Sequence, residues 1–257
     1  MRRRRVSAIS IVSFIVAGLF WFALSSLPAS VDNTTTQSTD NTSHASQTSQ
    51  TSSQEETSSS SAEDATTTTT TAGDTAQAVL ETLSVKGRAP KTGYERAQFG
   101  DGWSETNGCS TRNIILHRDL TNVVLDDECK VVSGTLADPY TGETIQFTKT
   151  KSSAVQIDHV VALSNAWQTG AQQLSKTQRV QLANDPLELL AVDGPANQAK
   201  SDGDAATWLP KNKAFRCQYI ARQIAVKKKY SLWVTESEKE AMTTVLSSCP
   251  NQAMPQA

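Results

Sequence analysis

The sequence predicts an α+β domain, mostly helical, over residues 76–257 of a 257-residue chain. Three observations predict it. Short β-branched runs between residues 123 and 161 are bounded by turn residues, as strands are. Two boxes, Ser175-x-x-Gln178 and Thr235-x-x-Glu238, carry the reciprocal capping pattern that opens helices. Residues 213–230 place Phe215, Tyr219, Val226 and Tyr230 on one stripe, the pattern of an amphipathic helix.

Two segments precede that domain. Arg2 to Arg5 form a basic cluster ahead of an apolar run from Val6 to Leu27. About 20 apolar residues cross a bilayer, so residues 1–29 are expected to be a signal peptide or an N-terminal transmembrane anchor. The small residues Ala29 and Ser30 suit cleavage, and the arginines suit an anchor with its tail inside. Both options stay open, and both export the domain. Residues 30–75 are almost entirely polar, rich in Ser and Thr. Such a segment buries too little to offset its conformational entropy and is expected to be a disordered linker.

The whole chain has 24 basic and 26 acidic residues, but four of the former and seven of the latter precede residue 76. The domain is therefore near neutral. Near neutrality argues neither for nor against nucleic acid, so any electrostatic footprint must be a local patch. All four cysteines, Cys109, Cys129, Cys217 and Cys249, lie in the domain. In an exported chain an even count reads as two disulfides. Cys109 with Cys129 and Cys217 with Cys249 is the simplest of the three pairings, because each closes a local loop. No C-x-x-C spacing supports a zinc site instead.

In chain order, residues 75–83 read as a short helix, and Tyr94, Phe99 and Trp103 as core anchors. Val123–Leu125 and Lys130–Leu136 read as strands around Cys129. Asp138-Pro139-Tyr140-Thr141-Gly142 is a turn. Thr144–Thr148 and Val155–Val161 read as two strands, expected to pair as a hairpin ending at Asp158-His159. Helices are expected over Val161–Ala171, from Ser175 to about Asn184, and from Thr235 to about Ser248. Between them Leu187–Val192 is a short apolar run, and Ala196 opens a short helix carrying Asn197 and Lys200.

The chemistry centres on Asp158-His159 in a strand and Asn197-x-x-Lys200 about 40 residues later. Imidazole titrates near neutral pH and can take a proton from water. A carboxylate and an amide oxygen can grip a hard divalent ion that neutralises phosphate charge. This pattern predicts a ββα-metal (HNH/His-Me finger) core.

Several stretches strengthen the reading as a set: Gly108-Cys109-Ser110-Thr111-Arg112-Asn113, His117-Arg118-Asp119-Leu120, Ile157-Asp158-His159-Val160-Val161, Asn184-Asp185-Pro186-Leu187, Asn197-Gln198-Ala199-Lys200 and Trp208-Leu209-Pro210. Together they resemble the HNH endonuclease-like family, the GmrSD C-terminal domain group, in its actinobacterial secreted form. The resemblance covers about residues 94–249. It implies His159 as general base, Asp158 and Asn197 as ligands of one divalent metal ion (Mg, with Mn, Ca or Zn as alternatives), and Lys200 beside phosphate. At Glu188 the sequence departs from the pattern, which has Asn there. That position orients the histidine, and Glu188 is expected to do so through its carboxylate, or a backbone carbonyl in its place.

Bland readings stand beside these. Asn197 alone suits a helix cap, and Lys200 alone a solvated charge. Arg112 and Arg118 serve either a structural ion cluster near the first disulfide or a phosphate. The tryptophans read as core, and Lys227–Lys229 as compensation of a helix dipole. The expected function is a metal-dependent endonuclease acting on nucleic acid, DNA before RNA, secreted or tethered outside the cell membrane, with no protein partner indicated. The rivals are a catalytically inactive surface-tethered binding module on the same scaffold and a cell-wall hydrolase. The latter needs a carboxylate pair, for which Asp158 and Glu188 are the only candidates.

Overall fold

A computed structural model describes residues 75–126 and 129–255. The expectations for residues 1–29 and 30–74 fall outside those residues. No helix among the described residues is long and apolar enough to cross a membrane.

Seven α-helices and seven strands follow one another among the described residues. The first half holds α1 (Ala76–Glu81), the two-residue strands β1 (Glu105–Thr106) and β2 (Cys109–Ser110), α2 (Thr111–Asp119), β3 (Thr121–Asp126), β4 (Lys130–Ala137), β5 (Thr144–Thr148) and β6 (Val155–His159). The second half holds α3 (Leu163–Gln168), α4 (Lys176–Ala183), β7 (Leu189–Asp193), α5 (Gly194–Lys200), α6 (Arg216–Lys229) and α7 (Glu236–Leu246). The mixed, mainly helical α+β class matches the expectation.

The pairing does not follow the expected hairpin. β5 pairs antiparallel with β4, in a sheet of order β3-β4-β5, and β6 pairs antiparallel with β7. Two physical reasons account for this. β4 and β5 are joined by the Asp138–Gly142 turn. There Asp138 Oδ2 accepts from the Thr141 amide at 2.7 Å and Gly142 takes φ +82, so closure is local and costs little entropy. β6 is instead buried on both faces and needs a partner of the same character. The apolar run Leu189–Val192, fully buried, supplies it.

The β6–β7 pair separates two cores. Val155, Ile157, Leu189 and Ala191 pack with Ile115 and Leu116 of α2 and with Val131, Leu136 and Phe147 of the three-stranded sheet. Leu190 and Val192 face the larger, helical core, built on Phe99, Trp167, Leu182, Tyr219, Ile220 and Ile224. A strand pair buried on both faces reads as an unbroken apolar run rather than as an alternation, which is why β7 looks featureless in sequence.

Both capping boxes form, at Ser175 with Gln178 and at Thr235 with Glu238. The first helix after β6 is shorter than expected: α3 stops at Gln168, and Gly170 with φ +132 turns the chain away. Both local disulfides form, Cys109–Cys129 and Cys217–Cys249. The second ties α6 to the chain after α7.

Gly194 begins α5 where the helix meets the start of β6. A side chain there would collide with the Ser153 carbonyl, so glycine permits the close seating of α5 on β6.

A buried ion pair locks the helical layer. Lys227 of α6 reaches Glu238 of α7, within 3.2 Å, and also donates to Trp233 O at 3.0 Å and Asn165 Oδ1 of α3 at 3.3 Å. Breaking a buried pair from one side strands the other charge and costs about 3–5 kcal/mol. Lys227→Met is therefore expected to lower the urea midpoint sharply, and Lys227→Met with Glu238→Leu to recover most of the loss. Equal losses in the two variants would show that the pair itself does not carry the stability.

Candidate functional site

β6 has one partner strand, so its other edge is free. Gly194 N donates to Ala154 O and Val160 N to Glu188 O, each at 2.9 Å, at the two ends of the ladder. In an antiparallel pair residues alternate between bonded and non-bonded partners. The even-numbered residues of β6 therefore bond to β7, and the backbone groups of Val155, Ile157 and His159 point to the free edge. A cavity of about 510 Å³ runs along that edge, lined by Gln156, Ile157, Asp158 and His159 in succession and, from α5, by Asn197. Asp158, His159 and Asn197, the residues singled out in the sequence, thus line one cavity.

Asp158 is buried, and both of its oxygens are engaged. Tyr140 donates its hydroxyl to Oδ2 at 2.5 Å, and Lys200 its ammonium to Oδ1 at 3.0 Å. Burial raises the Asp158 carboxyl, while Lys200 and Tyr140 pull it back down. Lys200 also donates to His159 O at 2.8 Å. Lys200 is only 2% exposed. It is thus neither the expected phosphate contact nor a solvated charge: the free edge of β6 and the Asp158 carboxylate take up its donors.

His159 stands at the end of the same strand, 7% exposed. Its Nε2 lies 3.0 Å from the Ala183 carbonyl, at the end of α4. A carbonyl only accepts, so Nε2 carries the proton and Nδ1 presents a lone pair. Trp103 stacks on the ring, centroids 5.6 Å apart and planes within 6°. Burial pushes the imidazole down to about 3, against the opposing effect of the Ala183 carbonyl. The ring is neutral throughout the physiological range.

Glu188 does not touch the imidazole. Its Oε2 accepts from Val161 N at 3.1 Å, and its Oε1 is buried with no hydrogen-bond partner among the described residues. Of the two arrangements the sequence left open, the backbone carbonyl is the one formed. Burial holds the Glu188 carboxyl well above its ordinary range.

Asn197 lines the cavity with its amide already oriented, since Nδ2 donates to Gln156 Oε1 at 2.9 Å. Its Oδ1 accepts no hydrogen bond among the described residues. Arg112 also lines the cavity and donates to Val155 O at 3.2 Å, bracing the free edge of β6. Arg118 lies elsewhere. It donates to Pro186 O at 2.8 Å and Leu189 O at 2.7 Å and pairs with Asp119, the structural role.

Other residues complete the site without a sequence signal that marks them. Tyr140 reads as a turn residue and Trp103 as core. Ala183 acts through its backbone, which no side-chain pattern reveals. Lys91 and Arg96 enter the cavity wall from a loop that looks like a linker between α1 and β1.

Asp158 and Asn197 are the cavity residues that could hold a divalent ion. Among the described residues no group of three or more His, Cys, Asp or Glu is arranged to hold a metal. Asp158 retains unused lone pairs beyond those taken by Tyr140 and Lys200, and Asn197 Oδ1 accepts no hydrogen bond among the described residues. One carboxylate and one amide oxygen, with water and phosphate for the rest, is the pattern Mg²⁺ accepts.

The Glu188 environment makes a pH-dependent prediction. A carboxyl raised in the folded state keeps a proton that the unfolded chain, at its ordinary 4.5, has lost. Its contribution is fully present below that ordinary value and is lost as pH rises toward the folded one. Glu188→Gln keeps an acceptor for Val161 N and removes the titration. Its urea stability relative to the parent should therefore grow by about 1 kcal/mol or more from about pH 5 to about pH 8. A difference that stays flat with pH would contradict this.

A family model described as "GmrSD restriction endonucleases, C-terminal domain" matches residues 111–245. A protein of the fungus Arthroderma benhamiae (strain ATCC MYA-4681 / CBS 112371), described as "Uncharacterized secreted protein", is 41% identical over 177 residues, covering 68% of this chain and 85% of that protein. No solved structure matches significantly. The fungal source of the relative shows that similarity is not confined to actinobacterial proteins. The family-model match spans most of the residues that line the cavity, and with both findings the chain belongs to the GmrSD C-terminal domain family, related to restriction endonucleases.

Proposed function

We propose that this domain is a metal-dependent endonuclease that hydrolyses phosphodiester bonds of nucleic acid, DNA before RNA, outside the cell membrane. One observation carries the reading: a neutral imidazole with its Nε2 pinned to the Ala183 carbonyl, at the end of a strand whose free edge borders a cavity shared with Asp158 and Asn197. In this reading β6, β7 and α5 would serve as the two strands and the helix of a ββα-metal core, with α3 and α4 inserted between the strands.

Each residue has a distinct task in this reading. His159 accepts the proton of the attacking water at Nδ1. Its low basicity in the closed site rises when an anionic phosphodiester lies beside it, because a nearby negative charge favours the imidazolium. Lys200 and Tyr140 fix the Asp158 carboxylate, and Gln156 fixes the Asn197 amide, so both oxygens are in place before substrate arrives. Arg112 adds positive charge at the cavity wall. A divalent ion held by Asp158 and Asn197 would neutralise charge at phosphorus and on the leaving oxygen.

The two disulfides suit an oxidising compartment, and the fungal relative's description as secreted supports the same location. The engagement of both Asp158 oxygens by Lys200 and Tyr140 favours a second reading, a binding module that no longer recruits metal.

Plasmid nicking in Mg²⁺ or Mn²⁺ separates the two. The parent chain is expected to nick DNA, and EDTA to stop it. His159→Ala is expected to lose about 10²–10⁴-fold in rate, the usual contribution of a general base. Intact plasmid with every divalent ion tried would favour the binding module.

A further inference from the structure

Three cations line the cavity beside His159, and two of them are committed. Lys91 pairs with Asp202 at 3.0 Å, and Arg112 donates to the Val155 carbonyl of the free edge at 3.2 Å. Arg96 makes no hydrogen bond or ion pair among the described residues, and its side chain is exposed. It borders the main cavity and also a smaller one, about 160 Å³, that His159 lines as well. Arg96, His159 and Leu163 are the residues common to both, so Arg96 and His159 line the same junction between the two spaces. Its charge is felt by the imidazole.

The seat of this arginine is rigid although its head is free. Arg96 opens a 3-10 turn ending at Phe99, which is 2% exposed in the helical core. Arg179 of α4 donates to Gln98 O at 3.0 Å and Gln98 Oε1 at 3.1 Å, and Gly100 with φ +107 ends the turn. The backbone entropy of placing a cation here is met by folding. What remains is an undercoordinated guanidinium, five donors in a planar fork that matches the oxygens of a phosphate. An exposed arginine with no structural partner, held on a fixed turn beside a neutral histidine, has a ligand to meet rather than a fold to support.

We propose that Arg96 is the phosphate clamp of this site, its guanidinium taking the non-bridging oxygens of the phosphodiester that lies against His159. The assignment rests on the nuclease reading for the identity of the ligand. It adds a residue that lies outside the stretch matched by the family model, residues 111–245. The loop between α1 and β1 is then part of the active site, and the matched stretch alone lacks one wall of it.

The test is binding, measured apart from turnover. In a His159→Ala background, anisotropy of a fluorescein-labelled DNA duplex in Mg²⁺ is followed over a salt series. Arg96→Ala is expected to weaken binding several-fold and to lower the slope of log K against log salt by about 1, one phosphate contact. Arg96→Lys should keep the slope and recover only part of the affinity, because a point charge replaces the fork. With His159 present, Arg96→Ala should lower kcat/KM by about 100-fold. Tm should not move in either variant, since Arg96 has no partner to lose. Unchanged affinity and slope would overturn the clamp even if the parent cleaves DNA. So would lost binding accompanied by a large fall in Tm, or no DNA binding by either chain. Lost binding in a chain that never cleaves would support the clamp while sinking the nuclease reading.

Discussion

The site depends on a buried ion pair between Lys200 and Asp158. α5 is seven residues long, too short to hold its shape in water unaided. Lys200 fastens its last turn to the Asp158 carboxylate and to the His159 carbonyl, and Asn197, three residues earlier and on the same face, fastens to Gln156. Desolvating an ammonium and a carboxylate is costly, and their attraction offsets it only with good geometry and further hydrogen bonds. Tyr140 supplies one to the carboxylate and His159 O another to the ammonium. The pair is therefore best understood as fixing register: it sets how far α5 can slide along β6, and so where Asn197 stands relative to His159.

This constraint propagates through the two cores. β6 and β7 are buried on both faces, which prevents the strand bearing Asp158 and His159 from shifting by one residue, since that would turn Ile157 and Asp158 to the wrong sides. The helical layer adds the rest. α4 ends with the carbonyl that sets the imidazole tautomer, and α6 reaches α3 and α7 through Lys227. The loop before β1 is anchored by Phe99 and Arg179 and closes the cavity with Arg96. Charge around the cavity is thus local, in keeping with a domain that is near neutral as a whole.

Asp158, His159 and Asn197 stand out in the sequence as a candidate set by their chemistry, and the fold brings all three to the wall of one cavity. The caps at Ser175 and Thr235 were legible because they are local, and so were the two short-range disulfides. The partner of β6 was not legible. A doubly buried strand such as β7 shows no alternation, and nothing in Leu189–Val192 distinguishes it from a core helix segment. Lys200 misled for a different reason: a lysine in a polar helix gives no sign that a buried carboxylate waits opposite. Glu188 was expected to orient the imidazole, but Ala183 does so through a backbone atom that every residue shares. Arg96 was invisible because an exposed arginine in a loop becomes notable only when the structure shows what it lacks.

The central claim is that Asp158 and Asn197 share one divalent ion beside His159. Crystals soaked in Mn²⁺ and measured at its absorption edge test this most directly. The account predicts an anomalous peak within about 2.1 Å of an Asp158 carboxylate oxygen and of Asn197 Oδ1, the distance of a hard cation to oxygen. The Lys200–Asp158 pair should remain in place. A fully soaked crystal with no peak along the free edge of β6, or with its peak on other residues, would contradict it.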